Sequence, residues 1–494
     1  MAMESSKRPA TAGAMLLLVT AAVALSGCKP VGPNYARPNV TAPATYKEMG
    51  AAAVTPPPSP AGGSWQPAAP SDGMLRGKWW EIYNDPELNR LEEMVAPANQ
   101  TLRAAAETYL AARDQVASAR SSLYPTLSAG PGFSHDTLSR HRPLAGSGHE
   151  YNDLTLTGQA LWEPDFWGRI RRTIEAASDT AQASAADVAV VDLSLHAELA
   201  QDYFELRGLD LQSRLLQNTV HDDEGQVELN QKLLQGGVVT QVVVAQAQTQ
   251  LETVRAALID VEQGRARYEH AIATLVNQPA GQVTLAPAPL DQSLPQIPVG
   301  VPSQLIERRP DIAGAERRVA AANAQIGIAI SAYYPTISLG GAGGFESTHG
   351  GNWIQGPSAL WSLGASATQL LFDAGRRHAL TDAARHSYEA ETATYKATVL
   401  GAFNEVEDSL SDLRVLENES TTEQQAVTAA QRSLDLSNQR YKGGATSYLE
   451  VLVAETMLLS NQRTQADLTT RRYVASVALI RALGGGWDTT QLPK

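Results

Sequence analysis

The feature that most narrows what this chain can fold into is internal repetition. Leu123-Tyr124-Pro125-Thr126-Leu127-Ser128 recurs as Tyr333-Tyr334-Pro335-Thr336-Ile337-Ser338, so that Tyr124 maps 210 positions on, to Tyr334. Ala112-Arg113-Asp114-Gln115-Val116 maps to Ala322-Asn323-Ala324-Gln325-Ile326 at the same offset. Farther along, Asp165-Phe166-Trp167-Gly168-Arg169 has the shorter counterpart Asp373-Ala374-Gly375-Arg376. Gln235-Gly236-Gly237 then maps 207 positions on, to Lys442-Gly443-Gly444. Four matches in one order imply a duplicated unit of roughly 200 residues. They divide the chain into a leader (1–27), a Pro-rich tether (28–78), a first repeat (79–278), a linker (279–302), a second repeat (303–484) and a tail (485–494).

Each copy reads as helix, strand, loop, strand and a very long helical hairpin, a mixed α and β class that is mainly helical. The β-hairpins fall at about 124–163 and 334–372. Their strands alternate with period two. Leu127, Ala129 and Phe133 share one face of the first strand, and Leu154, Leu156, Ala160 and Trp162 one face of the second. Ile337, Leu339 and Phe345 match Trp361, Leu363, Ala365 and Ala367 in the other copy. Each strand has about 10 residues, the length a tilted strand needs to cross a bilayer. The alternative is an ordinary hairpin packed on a soluble core. Four strands close no barrel, and an open sheet edge cannot sit in lipid. If these strands span, several chains must pool them: two would give eight strands and a filled interior, three would give twelve and room for a pore.

Asp165 and Asp373 are expected as helix N-caps. Residues 169–235 then cover about 100 Å at the rise of a helix, and 377–442 are similar. The chain turns back at tips 236–240 and 443–447, and the returning arms run from Thr240 to Val276 and from Ser447 to Leu483. Small residues such as Ala183, Ala186 and Ala197 allow close helix packing. A separate helix start is expected at Asp85-Pro86-Glu87.

The N-terminus carries an address. Lys7 and Arg8 precede an apolar run from Ala12 to Leu25, which ends in Leu25-Ser26-Gly27-Cys28. That is a secretory signal, shorter than the roughly 20 apolar residues of a spanning helix; the alternative is an uncleaved anchor. Cys28 is the one cysteine of the chain, so no internal disulfide can form. Its place resembles the bacterial lipoprotein box, which implies an N-acyl chain and a diacylglyceryl group on Cys28. Lys29, rather than an aspartate, points that lipoprotein to the outer membrane.

Bulk properties exclude other classes. A net charge of −13 argues against nucleic acid as a partner. The run Gly340-Gly341-Ala342-Gly343-Gly344 lacks the Lys-Ser/Thr of a phosphate loop and falls in a strand. His135, His141 and His149 match no common zinc spacing, so no metal is expected. Asp222-Asp223-Glu224 reads as a solvated helix face. With no catalytic constellation, no enzyme and no cofactor are expected.

Several stretches together resemble the outer membrane factor family, the TolC-like ducts, and most closely its lipoprotein branch of OprM-like and NodT-like members. They are Cys28-Lys29-Pro30-Val31-Gly32-Pro33-Asn34-Tyr35, Trp79-Trp80 with Asp85-Pro86-Glu87-Leu88, and Arg308-Arg309-Pro310-Asp311-Ile312. The Tyr-Pro-Thr repeats and the Gly-Gly tips add to them. The resemblance implies a homotrimer with a twelve-stranded β-barrel in the outer membrane and a twelve-helix periplasmic α-barrel. An equatorial girdle would be formed by the N-terminal segment, the linker and the C-terminus. It also implies a periplasmic adaptor and an inner-membrane transporter, proton-driven in small-molecule efflux. A duct for protein secretion through an ATP-driven exporter and a lipid-anchored periplasmic scaffold are the competing readings.

Within that family, acidic rings narrow the pore near the second tip. Glu450 aligns with one such position, Val453 replaces the next, and Thr446 occupies the position used by the OprM-like branch. Tyr448 either closes the gate sterically or packs between helices. Gly236, Gly237, Val238, Thr240, Gly443, Gly444 and Ser447 are the adaptor-docking candidates. The double glycines are also expected to meet a turn's need for positive φ. Trp162, Trp167 and Trp361 are candidates for a membrane-interface belt, with ordinary packing as the alternative. Arg169, Arg171, Arg172, Arg376 and Arg377 either meet lipid phosphates or pair with nearby carboxylates.

Overall fold

Asp85 opens the first long helix, its carboxylate accepting from the backbone N–H of Glu87 (2.9 Å) and Leu88 (3.1 Å), with Pro86 at the first helical position. The helix start expected there is present as α1 (Pro86–Ala98). Asn99 does the same for the next helix, accepting from Thr101 and Leu102 at 2.8 and 3.2 Å. The structure is a computed structural model that describes residues 29–49, 77–139, 141, 150–288, 290, 293–299 and 302–493. Cys28 and the leader lie outside the described residues.

The elements that follow are α2 (Gln100–Ser121), β1 (Thr126–Thr137), β2 (Glu150–Trp162), α3 (Arg169–Gln235) and α4 (Gln241–Leu275). After a short α5 (Pro302–Arg308) come α6 (Pro310–Ser331), β3 (Thr336–Ser347), β4 (Ala359–Thr368), α7 (Arg376–Lys442) and α8 (Tyr448–Ala482). The two series match in length: 22 residues in α2 and α6, 12 in β1 and β3, 67 in α3 and α7, 35 in α4 and α8. Two pairs are unequal: β2 has 13 residues and β4 has 10, and the short helices ahead of α2 and α6 have 13 in α1 and 7 in α5. The sequence offset is still 210 at the ends of β1 and β3 and is 207 at the starts of α3 and α7, so the drop falls in the stretch that holds β2 and β4.

Asp165 and Asp373 are not N-caps in the strict sense, because the helices begin later, at Arg169 and Arg376. Each carboxylate instead reaches over a glycine of positive φ, Gly168 (81°) and Gly375 (87°). Asp165 accepts from the N–H of Ile170 (3.0 Å) and Arg171 (2.9 Å), and Asp373 from those of Gly375 (3.2 Å) and Arg377 (3.1 Å). The orphan donors of the first turn are satisfied from one loop farther back.

The chain forms two compact units. The first gathers residues 29–39, Thr108–Ser184 and Ala315–Tyr395, and holds the sheet. Its strands are antiparallel in the order β1-β2-β3-β4. Register places every apolar strand residue singled out in the sequence on one face. Leu127 pairs with Ala160, Ala160 with Gly341, and Gly341 with Leu363; Phe133 pairs with Leu154, and Gly343 with Trp361. That face is exposed, with Leu127 at 82%, Trp361 at 79% and Leu363 at 81% of full accessibility. The opposite face carries Ser128, Thr155, Thr157, Gln159, Ser362 and Ser366, together with Leu161 and Leu360. Within the glycine run of β3 the tightest position is Gly344, where a Cβ would lie 2.0 Å from the Leu156 carbonyl oxygen.

The second unit contains the described parts of Val40–Glu107, Ala185–Gly314 and Lys396–Lys494. An aromatic core builds it. Trp79, Tyr83, Tyr203, Phe204 and Tyr473 are buried, and Phe204 packs against Tyr83 and Tyr473 with centroids 4.8 Å apart in each case. Buried polar tips find partners, as burial requires: the Tyr83 hydroxyl meets Ser476 Oγ at 2.6 Å, and that of Tyr203 donates to Asp85 at 2.7 Å. Trp80 stacks on His196 (4.5 Å, 16°), whose Nδ1 lies 2.6 Å from Glu92. Beneath this core α3 and α8 touch backbone to side chain, since a Cβ on Gly208 would fall 2.1 Å from Thr470 Oγ1.

Candidate functional site

The two tips are built alike because each first arm ends in the same capping motif. At the first, the N–H of Val238 donates to Leu233 O (2.8 Å) and that of Gly237 to Leu234 O (2.9 Å). At the second, Ala445 donates to Arg440 O (2.8 Å) and Gly444 to Tyr441 O (2.9 Å). This is a Schellman cap, whose penultimate residue needs the left-handed conformation. Gly237 (φ 72°) and Gly444 (φ 71°) supply it; Gly236 and Gly443 do not adopt positive φ. The positive-φ expectation therefore holds for the second glycine of each pair only. Thr240 and Ser447 sit at the N-cap positions of α4 and α8, yet neither side chain makes a cap hydrogen bond. Val238 is exposed at the first tip. Replacing Gly444 by Ala is expected to destabilise its tip by about 1–2 kcal/mol, the left-handed penalty of an L-residue. Gly443→Ala should stay within a few tenths, because the nearest atom to its Cβ is 3.4 Å away. Denaturant midpoints of the two variants check this difference.

The proposed gate residues separate. Glu450 is exposed on the first turn of α8, and Arg440 Nη1 lies 3.8 Å from its carboxylate, with both side chains more than half accessible. Such a pair contributes little in water. Thr446 keeps a buried Oγ1 without a hydrogen-bond partner. Tyr448 is 2% exposed and packs between helices, against Val227, Ala247, Leu251 and Val451, with Tyr441 at 5.5 Å. Val453 is half exposed on α8, as are Leu449 and Met457.

Asp222-Asp223-Glu224 is not wholly a solvated face. Asp222 and Glu224 are exposed, but Asp223 is 2% exposed and meets Glu455 of α8, itself 8% exposed. The sequence held the signal. Asp223 lies between Val220 and Val227 at helical spacing, and Glu455 continues the buried stripe Tyr448, Val451, Leu458. Among the described residues no group of His, Cys, Asp or Glu could hold a metal ion.

The segment that follows Cys28 is tied down within the first unit. Val31 N–H donates to Trp167 O (2.9 Å), and the buried Arg172 donates to Val31 O (3.2 Å) and Asn34 Oδ1 (2.9 Å). Gly32 (φ 92°) lies so close that a Cβ would be 2.6 Å from Gly327 Cα. Tyr35 donates to Glu316, and Asn323 to Pro33 O at 3.1 Å. The Arg309-Pro310-Asp311 stretch is explained the same way in the second unit, where Arg309 donates to Asp311, Glu405 (2.6 Å) and Ala482 O (3.0 Å).

Trp162 donates its indole N–H to Leu123 O (2.9 Å), and Trp167 to Pro335 O (2.8 Å) while stacking on Tyr334 at 4.9 Å. Trp361 lies exposed on the apolar face, toward the loop end of β4. Arg169, Arg171, Arg172 and Arg377 pair with Glu163, Asp165, Glu175 and Asp373. No helix among the described residues is long and apolar enough to cross a membrane.

Comparison with known proteins agrees with this geometry. The family described as outer membrane efflux protein matches residues 93–278 and again residues 301–485, once in each half. The pyoverdine export outer membrane protein OpmQ of Pseudomonas aeruginosa is 31% identical over 458 residues, covering 89% of this chain and 95% of its own. The outer membrane protein OprJ of the same organism is 31% identical, with 98% and 97% covered. The solved structure of the outer-membrane channel OprN superposes with a TM-score of 0.82 at 29% identity, covering 92% of this chain and 99% of that one. The chain belongs to the outer membrane efflux protein family.

Proposed function

We propose that this chain is one protomer of a homotrimeric outer-membrane duct, which passively conducts small molecules handed over by a periplasmic adaptor and an inner-membrane, proton-driven pump. Membership of the family makes it an outer-membrane efflux component with a large periplasmic part. The observation that carries the rest is the sheet: among the described residues it has four strands, one continuous exposed apolar face, and edge strands β1 and β4 that each pair on one side only. Unpaired backbone groups in hydrocarbon cost several kcal/mol each, so the edges need strands from other copies. Twelve residues rise about 40 Å along the strand and about 28 Å when tilted by 45°, close to the hydrocarbon thickness. Three copies supply twelve strands and a lumen lined by the Ser, Thr and Gln face.

The same reading gives the parts their roles. The matched series of elements, joined through residues 279–302, is an internal duplication that lets three chains supply six pseudo-equivalent hairpins. Cys28 carries the lipid, and Val31, three residues on, is tied to Trp167 and Arg172 in the first unit. Trp162, Trp167 and Trp361 mark the membrane interfaces. The tips 236–240 and 443–447 dock the adaptor, with Ser447 and Thr240 presenting hydroxyls not engaged in capping. Glu450, with Thr446 nearby, lines the periplasmic entrance as a ring of three carboxylates that attracts cations; Tyr448 supports that ring from within the helical packing.

Two measurements test this. A photo-crosslinking residue at Ser447 in living cells should trap an adaptor encoded with a proton-driven pump; an adaptor of an ATP-driven exporter would move the assignment to protein secretion, and no periplasmic partner would remove docking. In planar bilayers, Glu450→Ala should lower cation selectivity and weaken blockade by multivalent cations, and unchanged permeability would remove the residue from the gate.

A further inference from the structure

We propose that Asp223 and Glu455 share a single proton and act as a pH-dependent clamp between α3 and α8, a few turns of helix from the tips. The two carboxyl groups come from different helices, are 2% and 8% exposed, and meet within hydrogen-bonding reach. Each keeps a buried oxygen without another partner, Asp223 Oδ2 and Glu455 Oε2. They lie at the junction of two apolar seams: Val227, Leu251, Tyr448 and Val451 on one side, Leu216, Val220, Val254 and Leu459 on the other. Two carboxylates in such a place cannot both stay ionised, because each loses its hydration and repels the other. One proton between them converts that repulsion into a charge-assisted hydrogen bond.

The surroundings offer no other compensation. Asp222, next along α3, adds negative charge to both groups. Tyr448 of α8 lies against the pair, and its phenol is raised by burial and by the two carboxyls, so it stays neutral. Tyr441 of α7 reaches the pair through Tyr448; α4 brings Ala247, Leu251 and Val254 to the flanking seams, and its Arg255 is held by Glu224 at 2.6 Å and by Glu252 at 2.8 Å. No lysine, arginine or histidine among the described residues acts on either carboxyl.

The sign follows from linkage. Burial first, and Asp223 second, push the Glu455 carboxyl up to about 8, and burial raises Asp223 as well. Groups raised in the folded state contribute stability below their unfolded pKa and lose it as pH rises through the folded one. The clamp is therefore closed in acid and neutral solution and opens in alkali. When the proton leaves, two anions remain in an apolar seam, and α3 and α8 part to admit water. This coupling does not depend on the duct reading, since it concerns the contact between two helices of one chain.

Hydrogen–deuterium exchange of the purified full-length protein in detergent tests it, with exchange times scaled for the intrinsic base catalysis. Protection of peptides covering 216–231 and 448–462 is expected to fall about tenfold for each pH unit above the midpoint, while peptides of the sheet hold theirs. Asp223→Asn combined with Glu455→Gln keeps both shapes and an amide donor with no proton to lose, and should hold its protection within about twofold over the same range. The exposed control Asp222→Asn should still show the wild-type fall. Protection that does not change with pH in the wild type, or that falls equally in the double variant, would overturn the proposal. Should the double variant not fold, Glu455→Gln alone gives the same test, with the fall abolished or at least halved on a logarithmic scale if the clamp exists and unchanged if it does not.

Discussion

Backbone hydrogen bonding at the two sheet edges is the constraint on which the rest depends. In water an unpaired edge strand is solvated and costs little. In hydrocarbon each free N–H or C=O is a desolvated dipole, and a whole edge of them is prohibitive. The exposed face of Leu127, Phe133, Trp361 and Leu363 suits hydrocarbon, whereas the edges of β1 and β4 do not. One chain satisfies the face and fails the edges, and only association removes that conflict. The trimer proposed above would in this sense follow from how few strands each chain carries.

The helices face a different problem. Long helices packed side by side need small residues at the contacts and satisfied polar groups in the seams. Gly208 against Thr470 shows the first, and the hydroxyl and carboxylate partners of Tyr83 and Tyr203 show the second. Asp223 and Glu455 depart from the rule, since no cation among the described residues neutralises them. A departure in an otherwise consistent seam points to a cost borne for another purpose, and here that purpose is sensitivity to protons.

Much of the architecture was legible in the residues themselves. Offsets of 210 and 207 correspond to elements of equal length on either side of the second strand of each hairpin, and the change between them falls in the stretch from the hairpin loop to the long helix. Period-two patterning placed the apolar residues on one face of the sheet, because alternation in a strand leaves no other choice once the register is fixed. Local motifs were less transparent. Asp165 and Asp373 sat close to their helices but bonded across an intervening glycine, a geometry that residue type alone does not disclose. Only one glycine of each tip pair takes positive φ, since the Schellman cap sets a single left-handed residue. The buried acid pair escaped because Asp222 and Glu224 on either side look solvated, and burial of Asp223 depends on which side of α3 the partner helix covers. The short motif after Cys28 became intelligible only when Gly32, Asn34 and Tyr35 were seen against Gly327, Arg172 and Glu316.

The most direct test of the central claim is the mass of the protein extracted from membranes in mild detergent, measured by native mass spectrometry alongside conductance in a planar bilayer. A mass of three chains with a stable open conductance is the expected result, because three sheets close each other's edges around a lumen. A monomer, or a dimer without conductance, would contradict the account, since its sheet edges would then have no place in a bilayer.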